Sequence, residues 1–342
     1  MLLEKLSQAF GVAGCEYEVR DIIKEELLFC VDSLKTDALG NIIVYKKGLT
    51  ESPKIMVTAH MDEVGLMVTS IDKSGQIKFR KIGGIDDRVL VSKKVVIGAN
   101  KVKGIIGAKA IHLQKPKERK ETISFDQLFI DIGTSSSEET QKVVKIGNYV
   151  CFDSKPKVIN NNTFVGKALD NRVGCAVLIE LLKKELPVSI YGVFTVQEEI
   201  GLRGAGVATY AIKPDLAFIL ETTTAADVVE YKEHLHATTL GKGPIFTLMD
   251  SSFITNKKLL DFMIETANKY NVPYQFRRFT KAGTDAGRIS LSENGVLAAV
   301  ISSPCRYLHS PTSLINLEDV RNKQMLLIHL LDSIAEGGFK LD

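Results

Sequence analysis

Apolar residues recur along this chain at two different periods, and the changes of period divide it into parts. Leu2, Leu3, Leu6 and Phe10 fall at helical spacing before a Gly-Val-Ala-Gly break, and Val19, Ile22, Ile23 and Leu27 repeat the pattern, so two amphipathic helices are predicted at the start. Strands are predicted at 41–45 and 54–58, the second running into Ala59-His60-Met61-Asp62. From about Thr69 to Asn162 the character changes. Short alternating or β-branched runs (IKFRKI, VSKKVVIGA, KGIIGAKA, LFIDIG, YVCF) are separated by Gly, Asn and Asp, with one helical candidate at Ser136-Ser137-Glu138-Glu139, where the spacing suits a capping box.

After Asn162 helix and strand alternate: a helix over 171–186, strands over 190–196 and 216–220, a helix over 257–270, a strand over 296–302 and an amphipathic helix over 317–334. Such alternation predicts an α/β domain with a mainly parallel central sheet covered by helices. The expected division is a catalytic domain formed by residues 1–69 plus 163–342, interrupted by a small β-barrel over 70–162. The GLRGAG run at 201–206 lacks dinucleotide-fingerprint spacing and is expected to let a helix pack closely on the sheet.

Composition adds limits. Forty-four Lys and Arg against 41 Asp and Glu leave a net charge of +3, too balanced to imply nucleic acid as a partner. The basic run 115–120 contains Glu118 and reads as a solvated loop. Five scattered cysteines without a C-x-x-C predict reduced thiols in an intracellular protein. Glu4 and Lys5 interrupt the apolar N-terminus, no cleavage-site pattern follows, and no apolar stretch reaches membrane-spanning length. The expectation is a cytoplasmic protein with no membrane partner.

The chemistry lies where strands end. VFTVQEEIG (193–201) places two adjacent carboxylates, Glu198 and Glu199, at the end of an apolar strand, where they would repel each other and resist desolvation unless a cation met them. His60 and Asp62 end another strand, Glu221 a third, and His309 follows a fourth; Asp170 sits just ahead of a helix. In an open parallel sheet the carboxyl ends of strands line one crevice. Each residue has a local explanation, Asp170 as a helix cap or His309 as a turn residue. Their coincidence at strand ends is what predicts a metal site. Two imidazoles with carboxylates suit zinc, cobalt or manganese better than calcium or magnesium. In a strand-end His-x-Asp, the Asp can fix the His tautomer. There are enough ligands for two ions sharing an Asp, and of two adjacent glutamates one can bind metal while the other faces the water as general base.

These residues in this order resemble the M42 family of metallo-aminopeptidases, within the wider zinc aminopeptidase clan. The motifs that carry the resemblance are AHMDEVG (59–65), KALDNRVG (167–174), VQEEIGLRGA (196–205), ILETTTAADV (219–228), LGKGP (240–244), AGTDAGRI (282–289) and RYLHSPTSLI (306–315), spread over essentially the whole chain. The resemblance implies hydrolysis of the N-terminal residue of peptide substrates with two divalent ions. It implies His60 and Glu221 as ligands of the first ion, Asp170 as the bridge, Glu199 and His309 as ligands of the second, Glu198 as general base and Asp62 as the residue orienting His60. Many members carry Asp where this chain has Glu221. The inserted β domain resembles the family's dimerisation domain, from which homo-oligomers, often dodecamers, are built; the insertion itself carries no residue of the expected site.

Other enzyme classes fit these residues less well. Related sequences bear cellulase labels, but an endo-1,4-β-glucanase needs two carboxylates facing each other across a sugar, neighbours such as Glu198 and Glu199 are poorly placed for that, and the chain has no Trp for a sugar platform. No G-x-S-x-G or H-E-x-x-H occurs to suggest a serine hydrolase or a zincin. Finally, Arg277, Arg278 and Lys281 stand just before AGTDAGRI, and a guanidinium there would favour substrates with an acidic N-terminal residue; strand alternation lets only one of the two arginines face the cleft.

Overall fold

The computed structural model describes residues 1–341 except 229–231, 233–235, 279 and 281. Helices α1 (Leu2–Gln8) and α2 (Tyr17–Leu27) lead into strands β1 (Ser33–Thr36), β2 (Ile42–Lys46) and β3 (Thr50–His60). Six strands then close into a barrel: β4 (Gly65–Ile71), β5 (Ile77–Ile82), β6 (Lys94–Ile97), β7 (Val102–Gly107), β8 (Phe129–Asp131) and β9 (Tyr149–Phe152), with α3 (Ser137–Val143) before the last. The chain continues through β10 (Lys157–Ile159), β11 (Thr163–Gly166), α4 (Leu169–Leu182), β12 (Val188–Thr195), α5 (Arg203–Ile212) and β13 (Leu216–Thr224). It ends with β14 (Ile245–Phe246), α6 (Lys257–Lys269), β15 (Gln275–Phe276), α7 (Ala286–Ile289), β16 (Leu297–Arg306), β17 (Ser313–Asn316) and α8 (Leu317–Ala335).

The large sheet runs β1-β2-β12-β3-β13-β16-β17-β11-β10, with β14 and β15 attached beside β16. Its centre, β12, β3, β13 and β16, is parallel; β2 joins β12 and β17 joins β16 antiparallel. The sheet is thus parallel where helical crossovers connect its strands and antiparallel at its flanks, where short connections need no crossover. Period-2 alternation divides each central strand between two cores. Ile55, Val57, Ala59, Phe218, Leu220 and Ile301 face the helices α1, α2, α4, α6 and α8, while Met56, Ala217, Ile219 and Val300 face α5 and α7. Helix α5 comes close through Gly204, where a Cβ would meet Asn41 Oδ1 at 2.3 Å and Val196 O at 2.5 Å. The glycine-rich run at 201–206 therefore serves helix–sheet packing.

The barrel has its own core, in which Leu66, Val68, Ile77, Phe79, Val95, Ile97, Ile106, Ile130, Val150 and Phe152 point inward from the six strands. Ser136 caps α3, its hydroxyl accepting the Glu139 N–H at 3.2 Å. Strand β10 lies in sequence beyond the barrel and pairs with β11 in the large sheet. No helix among the described residues is long and apolar enough to cross a membrane.

Candidate metal centre and active site

The four parallel strands deliver their polar residues to one edge. His60 is the last residue of β3, in register with Thr195 of β12, and Glu198 and Glu199 lie just past the end of β12. Glu221 lies inside β13 near its carboxyl end, opposite Ser302 of β16, because that strand runs on to Thr224. His309 follows β16, and Asp170 occupies the first turn of α4. Backbone dihedrals at Asp170 and Asn171 depart from helical values, so this turn is not a regular cap and aims the carboxylate into the crevice.

Two donor groups result. His60, Asp170 and Glu221 form one, Asp170, Glu199 and His309 the other; in each the ligand atoms lie within 4.8 Å of one another, and Asp170 belongs to both. His60 Nε2 is 3.4 Å from Asp170 Oδ1 and 3.6 Å from Glu221 Oε2. His309 Nε2 is 3.3 Å from both Asp170 Oδ2 and Glu199 Oε1. Glu198 belongs to neither group.

A second layer holds these side chains. Asp62, fully buried, receives the backbone N–H of Glu198 on Oδ1 and of Glu199 on Oδ2, each at 3.0 Å. Its carboxylate is 3.5 Å from His60 Nδ1, and its backbone carbonyl is nearer, at 3.2 Å. Asp62 thus does more than the orienting of His60 that the His-x-Asp spacing suggests. Asn171 donates to Leu220 O at 2.6 Å and to Glu221 Oε2 at 3.1 Å. Lys323, buried on α8, donates to Glu221 O at 3.1 Å. Asp285, buried at the start of α7, accepts the Thr195 hydroxyl at 2.7 Å. Below the site Glu63 is gripped by Lys167 at 2.7 and 2.8 Å and by Arg172 at 3.1 Å. The quoted motifs contain Glu63, Lys167, Asn171, Arg172 and Asp285, yet spacing alone assigned none of them a role. The remaining contact, His309 Nδ1 to Gly84 O at 2.9 Å, comes from the barrel. The insertion supplies no side chain to either donor group, but its backbone reaches His309, a contact 225 residues apart in sequence that no local pattern encodes.

The electrostatics are those of an anion-rich pocket. Burial, with the charges of Glu221, Glu199 and Asp285, pushes Glu198 well above the usual carboxylate range against the pull of His60. Glu199 is raised to about 7 by burial and by Asp170, and Glu221 also rises. Asp170 goes the other way despite its burial, because His309 Nε2 hydrogen-bonds its Oδ2 and the charge of His60 lies 3.4 Å from its Oδ1. Burial works against protonated His60, but Glu198, Glu221 and the bonds from Asp170 and Asp62 prevail and raise it; His309 likewise reaches about 9. Asp170 Oδ1, Glu199 Oε1 and Glu221 Oε1 are buried without hydrogen-bond partners. Orphaned carboxylate oxygens facing imidazole nitrogens are the donor set a divalent cation takes, so the residues fit metal binding.

Of the three cations before AGTDAGRI, Arg277 is buried and Arg278 exposed. Burial pulls the Arg277 pKa down, against the opposing charges of Asp250, Glu221 and Asp170. Arg278 lines a separate hollow with His236, Thr238, Thr239 and Gln275. Lys281 lies outside the described residues.

Comparisons with known proteins place the chain in a family. The M42 glutamyl aminopeptidase family model matches residues 40–326. A putative aminopeptidase of Acetivibrio thermocellus is 39% identical over 96% of this chain and 97% of its own, and a lysyl aminopeptidase of Pyrococcus furiosus is 36% identical over 99% and 98%. Among solved structures, a TET aminopeptidase from a marine sediment archaeon of the Thaumarchaeota superposes with a TM-score of 0.94 at 38% identity, covering 99% of this chain and 98% of that one. The TET1 peptidase of Pyrococcus horikoshii, described as assembling into a tetrahedron or a large octahedral shell, gives 0.84 at 33%, covering 96% and 98%. A Thermotoga maritima protein described as an endoglucanase gives 0.81 at 39%, with 97% of each chain covered. The chain belongs to the M42 glutamyl aminopeptidase family and is an aminopeptidase, a hydrolase of peptide bonds.

Proposed function

We propose that this aminopeptidase works with two divalent cations, zinc or cobalt with manganese as a further candidate, held by His60, Asp170 and Glu221 on one side and by Asp170, Glu199 and His309 on the other. The observation that carries the reading is that Asp170 belongs to both donor groups while Glu198 belongs to neither. When bound, such cations lower the pKa of water and polarise a carbonyl.

The chain's own residues supply the rest. Glu198 accepts the proton of the attacking water and returns it to the leaving amine; its site, buried among other carboxylates, suits a base whose proton affinity lies above that of a free glutamate. Asp62 holds the Glu198–Glu199 segment by its two N–H groups, so that two adjacent carboxylates take different directions. Arg277, buried and within the electrostatic influence of Asp250, Glu221 and Asp170, would pair with an acidic N-terminal side chain. The lysyl specificity of the Pyrococcus furiosus relative makes that preference a question for this chain's own pocket. In each group the carboxylate and imidazole donor atoms lie within 4.8 Å of one another, which would suit a shared cation better than the glycosidase arrangement of two carboxylates about 5–10 Å apart across a sugar.

The reading extends to a catalytic domain built on the large sheet and an inserted barrel domain, β4 to β9, that makes dimers, assembled into a homo-oligomer such as a dodecamer in the cytoplasm; the bounds expected from sequence, 1–69 plus 163–342 and 70–162, shift because β4 begins at Gly65 and β10 pairs in the large sheet. Support for assembly comes from the TET1 neighbour. The deciding experiment is Glu198→Gln. Turnover of aminoacyl-p-nitroanilides should fall by about 10²-fold or more while elemental analysis still finds two ions per subunit. Loss of metal from that variant would make Glu198 a ligand and overturn the assignment.

A further inference from the structure

The two imidazoles are held from different places. His60 meets Asp62 within its own motif, whereas His309 Nδ1 meets the carbonyl of Gly84, between β5 and β6 of the barrel, at 2.9 Å. A carbonyl only accepts, so the bond requires a proton on Nδ1. In the neutral ring that leaves the Nε2 lone pair facing Asp170 and Glu199, 3.3 Å away.

The turn offering this carbonyl is braced on both sides. Gly83 has φ +79°, and a Cβ there would meet Val64 Cγ1 at 2.8 Å and Glu199 Cβ at 3.4 Å, so glycine lets the turn pass between them. Lys81 Nζ donates to Ile85 O at 2.9 Å and to Asp87 Oδ1 at 2.6 Å, and Asp87 Oδ2 accepts the Phe125 N–H at 2.9 Å. The carbonyl is thus fixed from within the barrel, on a turn that also lies against the Glu199 stem.

We propose that the Gly83–Gly84 turn of the barrel is a positioning element for the second donor group, setting the tautomer and ring plane of His309. The inference rests on the two-cation reading. It assigns the inserted barrel a part in the chemistry: the Asp170–Glu199–His309 group is complete only with the barrel seated on the sheet, and the His60–Asp170–Glu221 group does not depend on that turn. Loss of such an outer partner typically weakens metal affinity about 10- to 100-fold.

The test is titration of metal-free enzyme with cobalt(II), followed by calorimetry and by the visible absorption of each bound ion. Glu199→Gln and Glu221→Gln identify which step belongs to which group. Gly83→Ala should weaken the Glu199 step about 10- to 100-fold and alter its absorption band, leaving the Glu221 step at its wild-type affinity. Val64→Ala in the Gly83→Ala background removes the methyl that the new Cβ meets and should restore part of the loss. Lys81→Met, which leaves both glycines in place, should weaken the same step to a smaller degree and carries the test if Gly83→Ala does not fold. Unchanged affinities, or equal weakening of both steps, would overturn the proposal. A wild-type enzyme that binds one ion defeats the two-cation reading instead. The inference then stands if Gly83→Ala weakens a site that His309→Ala abolishes, and falls if it does not.

Discussion

Asp62 Oδ2 accepts the backbone N–H of Glu199 at 3.0 Å, while Oδ1 does the same for Glu198. One buried carboxylate from the end of β3 therefore sets the course of the chain beyond β12. Asp62→Asn replaces one acceptor by an NH₂ group that faces a backbone donor. We expect kcat to fall about 10- to 100-fold, with weaker metal retention at the Glu199 group, as is usual for outer partners of ligands. Steady-state kinetics with metal analysis check this; a variant with normal kcat would remove Asp62 from the machinery.

The protonation of the cation-free site predicts how metal binding depends on pH. His309 holds its proton up to about 9 and Glu199 up to about 7, whereas both must give protons up to a cation. Affinity of the Asp170–Glu199–His309 group should therefore rise with pH toward about 9, more steeply below about 7, where its glutamate must also ionise, and the raised His60 and Glu221 act in the same direction at the other group. Calorimetry at neutral pH in buffers of different ionisation heat should show proton release, and the share from His309 should fade as pH passes about 9. Binding without proton release at neutral pH would contradict the raised values.

Glu63 faces two cations, Lys167 and Arg172, all buried. Removing Lys167 charge leaves a one-to-one pair, but removing Glu63 charge leaves two cations without a counter-ion. Glu63→Gln should therefore cost more stability than Lys167→Met, with the larger loss about 3–5 kcal/mol, the range for breaking a buried ion pair from one side. Urea unfolding of the two variants decides, and the reverse order would refute the charge argument.

Arg277 and Arg278 divide by burial, the first enclosed and the second exposed along a hollow with Thr239 and Gln275. Arg277→Ala should lower the ratio of glutamyl to leucyl p-nitroanilide hydrolysis by about 10-fold or more, the scale of a charge-assisted hydrogen bond. Arg278→Ala should leave that ratio within about twofold on the same scale. Equal responses would remove the acidic-pocket reading and leave the aminopeptidase activity standing.

The sequence by itself determined the two periodicities, and with them the helices, the barrel strands and the buried central strands, because local backbone geometry writes itself as a repeat of two or of about 3.6 residues. It also determined the donors. As candidates, His60, Glu199, Glu221 and His309 were legible from their places near or beyond predicted strands and Asp170 from its place ahead of a helix, because such a gathering of charge is costly without a cation. Short strands with non-local partners were not legible: β14, β15 and β17 are two to four residues long and exist only through pairing to β16 and its neighbours. Strand extent was likewise decided by pairing, so Glu221 lies inside β13 and not at its end. Which of two adjacent glutamates joins a donor group depended on the Asp62 contacts, and which arginine faces inward on the seating of β15 against β14. The hold on His309 is the clearest case. A backbone carbonyl carries no residue identity, so only the folded barrel, bringing Gly84 within 2.9 Å of a ring 225 residues away, could reveal it.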